Sequence, residues 1–442
     1  MGPKVDSGTY DNAIPAQADV VVIGGGIVGT STALFLARKN ISVVLCEKGH
    51  IAGEQSSRNW GWVRKQGRDS REIPLIIESM RLWTGMNELV GAETGFRTTG
   101  ILYVCDTDED AAKREAWLEL VRPYQLDTRL IGSEELSSLM PGANRRFKGA
   151  LYTASDGRAE PQKAAPAIAQ AARRDGATIL TQCAVRGVET TAGRVTRVVT
   201  EKGPITCNAV VLAGGAWSRL FCHDLGIRLP QLKVCSSVLR TEALEGGPIS
   251  AARLPKVAYR KRLDGGYTIA SVNANIADIV PDTFAFFRDF LPTLRMEWKS
   301  LQLRLGRRFY DEWSMAEKKP IDQISRYEQA RVLDPEPEAT LNDQALAAMK
   351  AVFPVFEKAR VAQQWAGMID VTPDAVPVIS QVDGISDFVI ATGFSGHGFG
   401  IGPGAGQLAA DLVTGDPPIV DPTPFRFSRF TDGSRPRPEV AV

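Results

Sequence analysis

Histidine is scarce in this chain of 442 residues: only His50, His223 and His397 occur, far apart in sequence. The six cysteines, Cys46, Cys105, Cys183, Cys207, Cys222 and Cys235, form no C-x-x-C pair. Together these exclude a His/Cys metal centre and read as reduced, mostly buried thiols of a cytoplasmic protein. Charge of one sign is lacking too. Lys and Arg number 52, Asp and Glu 51, for a net charge of +1, so nothing argues for nucleic acid. No run of eighteen apolar residues exists, which excludes a membrane-spanning helix. Residues 1–18 have no apolar core of a signal peptide and read as a loose leader. Internal repeats and low-complexity tracts are missing. The chain is long enough for two domains, and its 44% hydrophobic content is ordinary for a globular protein.

What is present begins at Val20. Four apolar residues, Val20 to Ile23, read as a buried parallel strand. Gly24, Gly26 and Gly29 follow in G-x-G-x-x-G spacing, Thr30 to Lys39 reads as a helix, and Ser42 to Cys46 as a second strand ending at Glu47. Each part has a physical job in dinucleotide binding. Gly24 allows the tight turn, Gly26 lets backbone approach a pyrophosphate, and Gly29 lets helix pack on strand. The helix N-terminus faces the phosphates with partial positive charge. Glu47 can accept hydrogen bonds from a ribose hydroxyl, which favours FAD or NAD over NADP.

Further along, a loop with glycine and arginine runs from Gly53 to Arg64. Helical periodicity covers Pro74–Val90, Asp108–Tyr124 and Pro161–Arg173, and a strand covers Gly100–Cys105. Another strand starts at Ala177. Val195–Thr200 and Ile205–Cys207 read as a hairpin, and Ala209–Ala213 as a buried strand meeting a glycine turn. Segments Cys235–Arg240, Lys256–Lys261 and Tyr267–Ser271 read as an antiparallel sheet. Phe388–Thr392 reads as a strand that meets Gly393–Gly400, and a helix follows through Leu412. The expected fold class is therefore α/β, a Rossmann-like dinucleotide domain with an inserted α+β domain. The nucleotide domain takes 18–95, 145–229 and 365–430; the substrate domain takes 96–144 and 230–364.

Several blocks together resemble the D-amino-acid oxidase family of FAD enzymes, which includes glycine oxidase, monomeric sarcosine oxidase and the D-amino-acid dehydrogenases. They are the Ser56-Ser57-Arg58 loop, Asp156-Gly157-Arg158, Leu212 to Ser218, Thr372-Pro373-Asp374 followed by Pro377, and Ala391 to Phe399. The resemblance covers nearly the whole chain and implies FAD under an antiparallel roof. It places the cofactor shell at Gly24, Gly26, Ile27, Val28, Gly29, Glu47, Lys48, Ser56, Ser57, Arg58, Asn59, Trp60 and Gly61. Val185, Gly214, Trp217, Gly367, Gly396, His397, Gly398, Phe399 and Gly400 complete that shell. Ser56, Ser57 and Arg58 could offer hydroxyl, backbone and guanidinium donors to phosphate. The Gly396–Gly400 loop could face the flavin with backbone N–H groups; a plain glycine turn is its bland alternative.

Departures from the family bear on the substrate. Gly367 stands where covalent members carry cysteine, so the resemblance implies non-covalent FAD. Ile369 and Gly400 stand where relatives carry a basic residue for the substrate carboxylate. Arg64 is left nearest to a family anchor position, with an ordinary exposed arginine as the alternative. Trp60 and Trp62 could wall an amine site or simply pack in the core. Tyr259 is a candidate to reach substrate from the roof, with Arg260 on the opposite face by strand alternation. His397 is read as a positioning group more than a base. His50 and His223 read as surface residues.

The segment 283–313 carries Phe286, Phe287, Phe290, Trp298 and Phe309 beside Arg288, Arg295, Arg304, Arg307 and Arg308. Helical spacing explains it as a core or inter-subunit face, interrupted at Pro292, or as a basic amphipathic helix on anionic lipid. The functional expectation is FAD-dependent oxidation of the C–N bond of an amine or amino acid, secondary or N-substituted. The imine formed is hydrolysed, and electrons pass to oxygen, a quinone or a partner protein. The alternatives are a D-amino-acid dehydrogenase or oxidase, and a non-catalytic FAD-binding subunit.

Overall fold

The computed structural model describes residues 2–272, 275–297, 301–434 and 436–439. Trp298 lies outside the described residues. Strand β1 (Gln17–Ile23), helix α1 (Ile27–Arg38) and strand β2 (Val43–Cys46) form the first crossover unit, with β1 and β2 parallel. Both strands are apolar where they are covered on two faces, as a buried parallel sheet requires. The sheet they start has eight strands. Its order is Val185–Thr191, Arg194–Thr200, Ile385–Thr392, Gly203–Leu212, β1, β2 and Thr178–Leu180, with Val378–Val382 paired to Ile385–Thr392.

Gly203–Leu212 is one continuous strand where the sequence reading divided it in two. Its first half pairs antiparallel with Arg194–Thr200, and its second half runs parallel to β1 and to Ile385–Thr392. The parallel pairing brings Ile23 opposite Leu212, so the glycine turns that follow both strands share one edge. Helices α1, Pro161–Arg174 and Gly398–Thr414 contribute to the core on one face of the sheet. Gly406 allows the closest approach there, since a Cβ on it would lie 2.4 Å from Ser31 Cβ of α1.

The second sheet has ten strands and contains the expected antiparallel segments, Leu232–Thr241, Val257–Lys261 and Tyr267–Ser271. It also takes Gly149–Thr153, which pairs with Ile101–Cys105, and Val361–Val371, which pairs with Leu232–Thr241. The expected domain boundaries at 145 and 365 cut through those two pairings. The physical reason is that the chain leaves each roof strand only at the turn that follows it, at Asp156 and Thr372.

The segment 283–313 is not one long helix. It folds as helices Pro281–Ala285 and Phe287–Glu297, strand Leu301–Arg304 and helix Arg308–Met315. Pro292 sits inside the second helix and does not end it. The extended piece arises because Leu301–Arg304 pairs in parallel with Asn275–Asp278. The expected helix Pro74–Val90 is likewise two, Ile73–Thr84 and Met86–Val90, divided at Gly85.

Candidate active site

One elongated cavity runs along the C-terminal edge of the parallel strands and under the roof. One end starts at the first glycine turn. Gly24 has φ +110°, and a Cβ there would lie 2.4 Å from the Ala213 carbonyl oxygen. A Cβ on Gly29 would lie 2.0 Å from the Gly24 carbonyl oxygen, so helix and turn can meet only through glycine. Gly29 is a packing residue and does not line the cavity. Gly26, Ile27 and Val28 do, where the first amides of α1 lack intrahelical partners. The amide of Ile27 donates to Ser56 Oγ at 2.8 Å, which ties the next loop to this turn.

Glu47 closes that end. Its carboxylate accepts from the Gly25 amide at 2.6 Å and the Gly49 amide at 2.7 Å. Burial raises its pKa against the opposing pull of Lys48 and those amides. Lys48 Nζ lies 4.2 Å from the centre of a Trp217 ring and donates to Ala330 O and Arg331 O. Trp217 Nε1 donates to Glu54 Oε1 at 2.9 Å, and its ring meets Tyr327 edge-on at 5.8 Å. Val185, Gly214, Tyr327 and Arg331 complete this wall.

The loop after β2 is built differently from its sequence reading. Ser57 is buried, donates to Glu54 O and does not line the cavity. The Arg58 guanidinium is committed to Asp334 Oδ1 at 2.7 Å, Ala366 O at 2.8 Å and Gly53 O. Arg58 therefore braces the loop and has little left to offer a phosphate. Gly61 also stands off the cavity, because a Cβ on it would meet Arg260 Nε at 2.4 Å and Ala159 O at 2.5 Å.

The other end is the chamber under the roof. Trp60 and Trp62 meet edge-on at 5.2 Å, and both line it with Asn59. Trp62 Nε1 is buried with no hydrogen-bond partner among the described residues, a donor facing an acceptor that the protein does not supply. Opposite lies the loop Gly396–Gly400, from which helix Gly398–Thr414 begins. The helix start is anchored from behind. Gly400 O accepts from Ser79 Oγ at 2.7 Å and Trp83 Nε1 at 2.8 Å.

His397 is buried beside this helix start. Its Nδ1 lies 3.2 Å from Glu72 Oε2, and Arg68 Nη2 donates to His397 O at 3.2 Å. Burial lowers the imidazole pKa, outweighing the attraction of Glu72. Glu72 is held below the ordinary carboxylate value because Arg68 and His397 outweigh its larger desolvation.

Gly367, Ile369 and Gly400 all line the chamber, and none brings a charge to it. Arg64 does line it, with its guanidinium 5.7 Å from the Tyr103 ring centre and Nη1 bonded to Gln66 O. Tyr259 does not: it is buried in the core on the far face of the roof, edge-on to Phe353 at 5.6 Å. Arg260 takes the other face, as strand alternation demands, and is consumed by Glu160 at 2.8 and 3.0 Å. His50 and His223 are exposed. Tyr103, Arg253, Tyr327 and Arg331 are lining residues that the sequence reading missed. Arg253 lies on the short strand Ala251–Arg253, where three residues show no alternation. Tyr327 and Arg331 come from the inserted segment, where no motif points back to the nucleotide unit.

A crossover sheet with a glycine turn, a buried acid at the end of its second strand and a cavity roofed by a second sheet is the arrangement of a dinucleotide-binding oxidoreductase. The chain belongs to the DAO family, described as FAD dependent oxidoreductase, which matches residues 19–412. It is similar to L-amino acid deaminase from Proteus myxofaciens, whose structure was solved with anthranilate. The two share 35% identity, 97% of each chain is covered, and the TM-score is 0.94. L-Amino acid deaminase from Proteus vulgaris has 34% identity over 96% of this chain and all of that one (100%), with a TM-score of 0.91. Glycine oxidase of Pseudomonas putida is 27% identical over 92% of this chain and 97% of its own. The chain is thus an FAD-dependent oxidoreductase. The site fits that cofactor: it has glycine-walled amides at a helix start, an acid for a ribose, an aromatic end wall and an orphaned donor in the chamber.

Proposed function

We propose that the protein oxidises the C–N bond of an amino acid to an imine, which water converts to a carbonyl compound and ammonia or an amine. The observation that carries this reading is Arg64 beside Trp60 and Trp62, in a chamber continuous with the glycine turn. The substrate loses its α-hydrogen with the electron pair, its nitrogen loses a proton, and C–N becomes C=N. When bound, FAD supplies the acceptor for that pair, later regenerated by oxygen or a quinone. Gly26, Val28 and Ser56 would hold its phosphates, Glu47 its ribose, and Trp217 and Tyr327 its base. The protein's own work is orientation and exclusion of water. Arg64 grips the carboxylate, Trp60 and Trp62 wall the nitrogen, and buried His397 keeps the loop at Gly398 in place. A neutral amine suits this chamber, where no described carboxylate stands free to hold a cation. The test is anaerobic mixing of the flavin-loaded protein with a panel of amino acids and amines. Bleaching of the yellow colour by amino acids supports the reading; an unchanged spectrum across the panel rejects it.

The inserted segment is proposed as a docking face for an anionic lipid surface. Tyr310 is 74% and Leu305 71% exposed, and Phe284, Phe287, Leu303 and Trp313 are exposed as well. Arg288 and Arg307 are exposed among them. Aromatic and apolar tips with arginines are the composition of an interfacial anchor. No helix among the described residues is long and apolar enough to cross a membrane. The side facing this surface is placed in the cytoplasm, which the six buried, free cysteines support.

A further inference from the structure

We propose that Asp156 is a positioning residue for substrate binding: its buried carboxylate fixes the two residues that follow Arg64 and so aims the Arg64 guanidinium into the chamber. This rests on the amino-acid oxidation reading above and names what sets its carboxylate anchor. Asp156 is 0% exposed and does not line the cavity. It precedes the short strand Gly157–Arg158, which pairs antiparallel with Trp62–Val63, Val63 standing opposite Gly157. The next position in that register sets Arg64 opposite Asp156, and the ladder ends before it. There the Asp156 carboxylate takes over. One oxygen accepts from the Lys65 amide at 2.8 Å and the other from the Gln66 amide at 3.2 Å.

A relay runs from those bonds to the guanidinium. Gln66 is 0% exposed, and its side chain is bonded to the roof strand Gly149–Thr153. Its Nε2 donates to Leu151 O at 3.1 Å, and its Oε1 accepts from Thr153 Oγ1 at 2.9 Å. The Gln66 carbonyl oxygen then accepts from Arg64 Nη1. Asp156 and the roof fix Gln66, and Gln66 fixes one arm of Arg64. The Arg64 carbonyl oxygen is held separately, by Arg68 Nε at 2.7 Å.

Two consecutive amide donors need two acceptor oxygens, which a carboxylate has and a carboxamide has not. Burial pushes the Asp156 pKa up to about 6, against the pull of those amides, Lys65 and Arg64, so the group is ionised at pH 8. An anion out of water is costly unless it is hydrogen-bonded, and here backbone amides supply the bonds. The Asp156 main chain is fixed independently, because its carbonyl oxygen accepts from the Thr99 and Gly100 amides at 3.2 and 2.9 Å. A change of the side chain therefore acts on the Arg64 loop more than on the turn that carries Asp156.

The test uses the flavin-loaded full chain at pH 8. Binding is read without turnover, by perturbation of the flavin spectrum with butyrate against butyramide. The wild type should prefer butyrate, and Arg64→Met should erase the preference. Asp156→Asn leaves one of the two amides facing an NH2 group. It should lower the preference about tenfold, the scale of a hydrogen bond to a charged group, with butyramide binding within about twofold of wild type. In the Arg64→Met background Asp156→Asn should change the preference by less than about twofold, because both act through one guanidinium. In anaerobic reduction by the best amino acid of the panel, Asp156→Asn should raise KM and leave kcat within about twofold. Thr153→Val, which removes the donor to Gln66, should move the preference in the same direction by less, and it decides the question if Asp156→Asn does not load flavin. An unchanged preference overturns the proposal. A stronger one also does, since it would mean that Asp156 only offsets the Arg64 charge. Equal losses on butyrate and butyramide, or a further loss in the Arg64→Met background, overturn it as well. If Arg64→Met keeps the wild-type preference, the anchor and its positioning fall together, while bleaching by amino acids would still uphold C–N oxidation.

Discussion

Glu72 and His397 meet 3.2 Å apart behind the start of helix Gly398–Thr414, and both side chains are buried. His397 there has a pKa below the ordinary imidazole value, because burial penalises the cation more than Glu72 rewards it. The unfolded chain has a histidine value of about 6.5 and takes up the proton first as pH falls. The His397 contribution is therefore present above that value and lost as pH drops below it. The expected result is a stability difference, wild type minus His397→Asn, that shrinks between pH 7.5 and 5.5 in urea unfolding. Asp156, pushed up to about 6 by burial, acts with the opposite sign between its unfolded value and 6. It is common to both proteins and cancels. A difference that ignores pH would sink the assignment.

Gly26 and Gly29 should fail in different ways. A side chain on Gly26 meets only Ser56 Oγ, at 3.0 Å, so Gly26→Val should fold and lose flavin. Gly29→Ala drives Cβ into backbone at 2.0 Å and should lower stability by about 1–3 kcal/mol as well as occupancy. Melting temperature and the ratio of visible to ultraviolet absorbance read the two effects. Full flavin occupancy in Gly26→Val would remove this turn from the cofactor site.

Tyr259→Phe should leave kcat/KM within about twofold of wild type, since the ring lies in the far core. Tyr259→Ala should cost about 3–5 kcal/mol by opening a cavity against Phe353. A selective loss of activity in Tyr259→Phe would bring the residue back to the substrate.

Acid precipitation should release yellow flavin into the supernatant. Gly367 offers no nucleophile, and among the described residues Cys46 is the cysteine that lines the cavity, next to Glu47. Colour retained on the pellet would show a covalent link.

Vesicles containing phosphatidylserine should co-sediment the protein in low salt. Trp313→Ser with Tyr310→Ser should reduce the bound fraction several-fold, and neutral vesicles should bind less. Equal recovery with both lipids would dismiss the lipid surface.

The first crossover unit was legible because Gly24, Gly26, Gly29 and Glu47 keep a fixed spacing between strand, helix and strand, and Gly24 and Gly29 leave no room for a side chain. The roof strands were legible as short strand-like segments with turn residues such as Gly265-Gly266 between them. The roof boundaries were not, because Gly149–Thr153 and Val361–Val371 look the same in sequence whichever sheet they join. Arg64 was found through the missing charges at Ile369 and Gly400. Arg253 was hidden in a strand of three residues, and Ser57 and Gly61 were over-read because a motif does not show which of its groups turn inward; Arg58 does line the cavity, with its guanidinium bonded to Asp334 and Ala366 O. Tyr327 needed the three-dimensional fold, since only chain reversal brings the insertion back to Trp217.

That reversal affects how the cofactor comes and goes. Tyr327 and Arg331 form part of the cavity wall, Lys48 holds Ala330 O and Arg331 O, and Arg326 is tied to Asp224 and Glu317 O. The same stretch continues into the aromatic outer face at Trp313. A dinucleotide in this cavity would therefore be covered on that side by the insertion. The expected consequence is a cofactor off-rate set more by the insertion than by the glycine turn. A protease cut between Met315 and Arg326 should leave the fold intact and make a tightly held cofactor an exchangeable one.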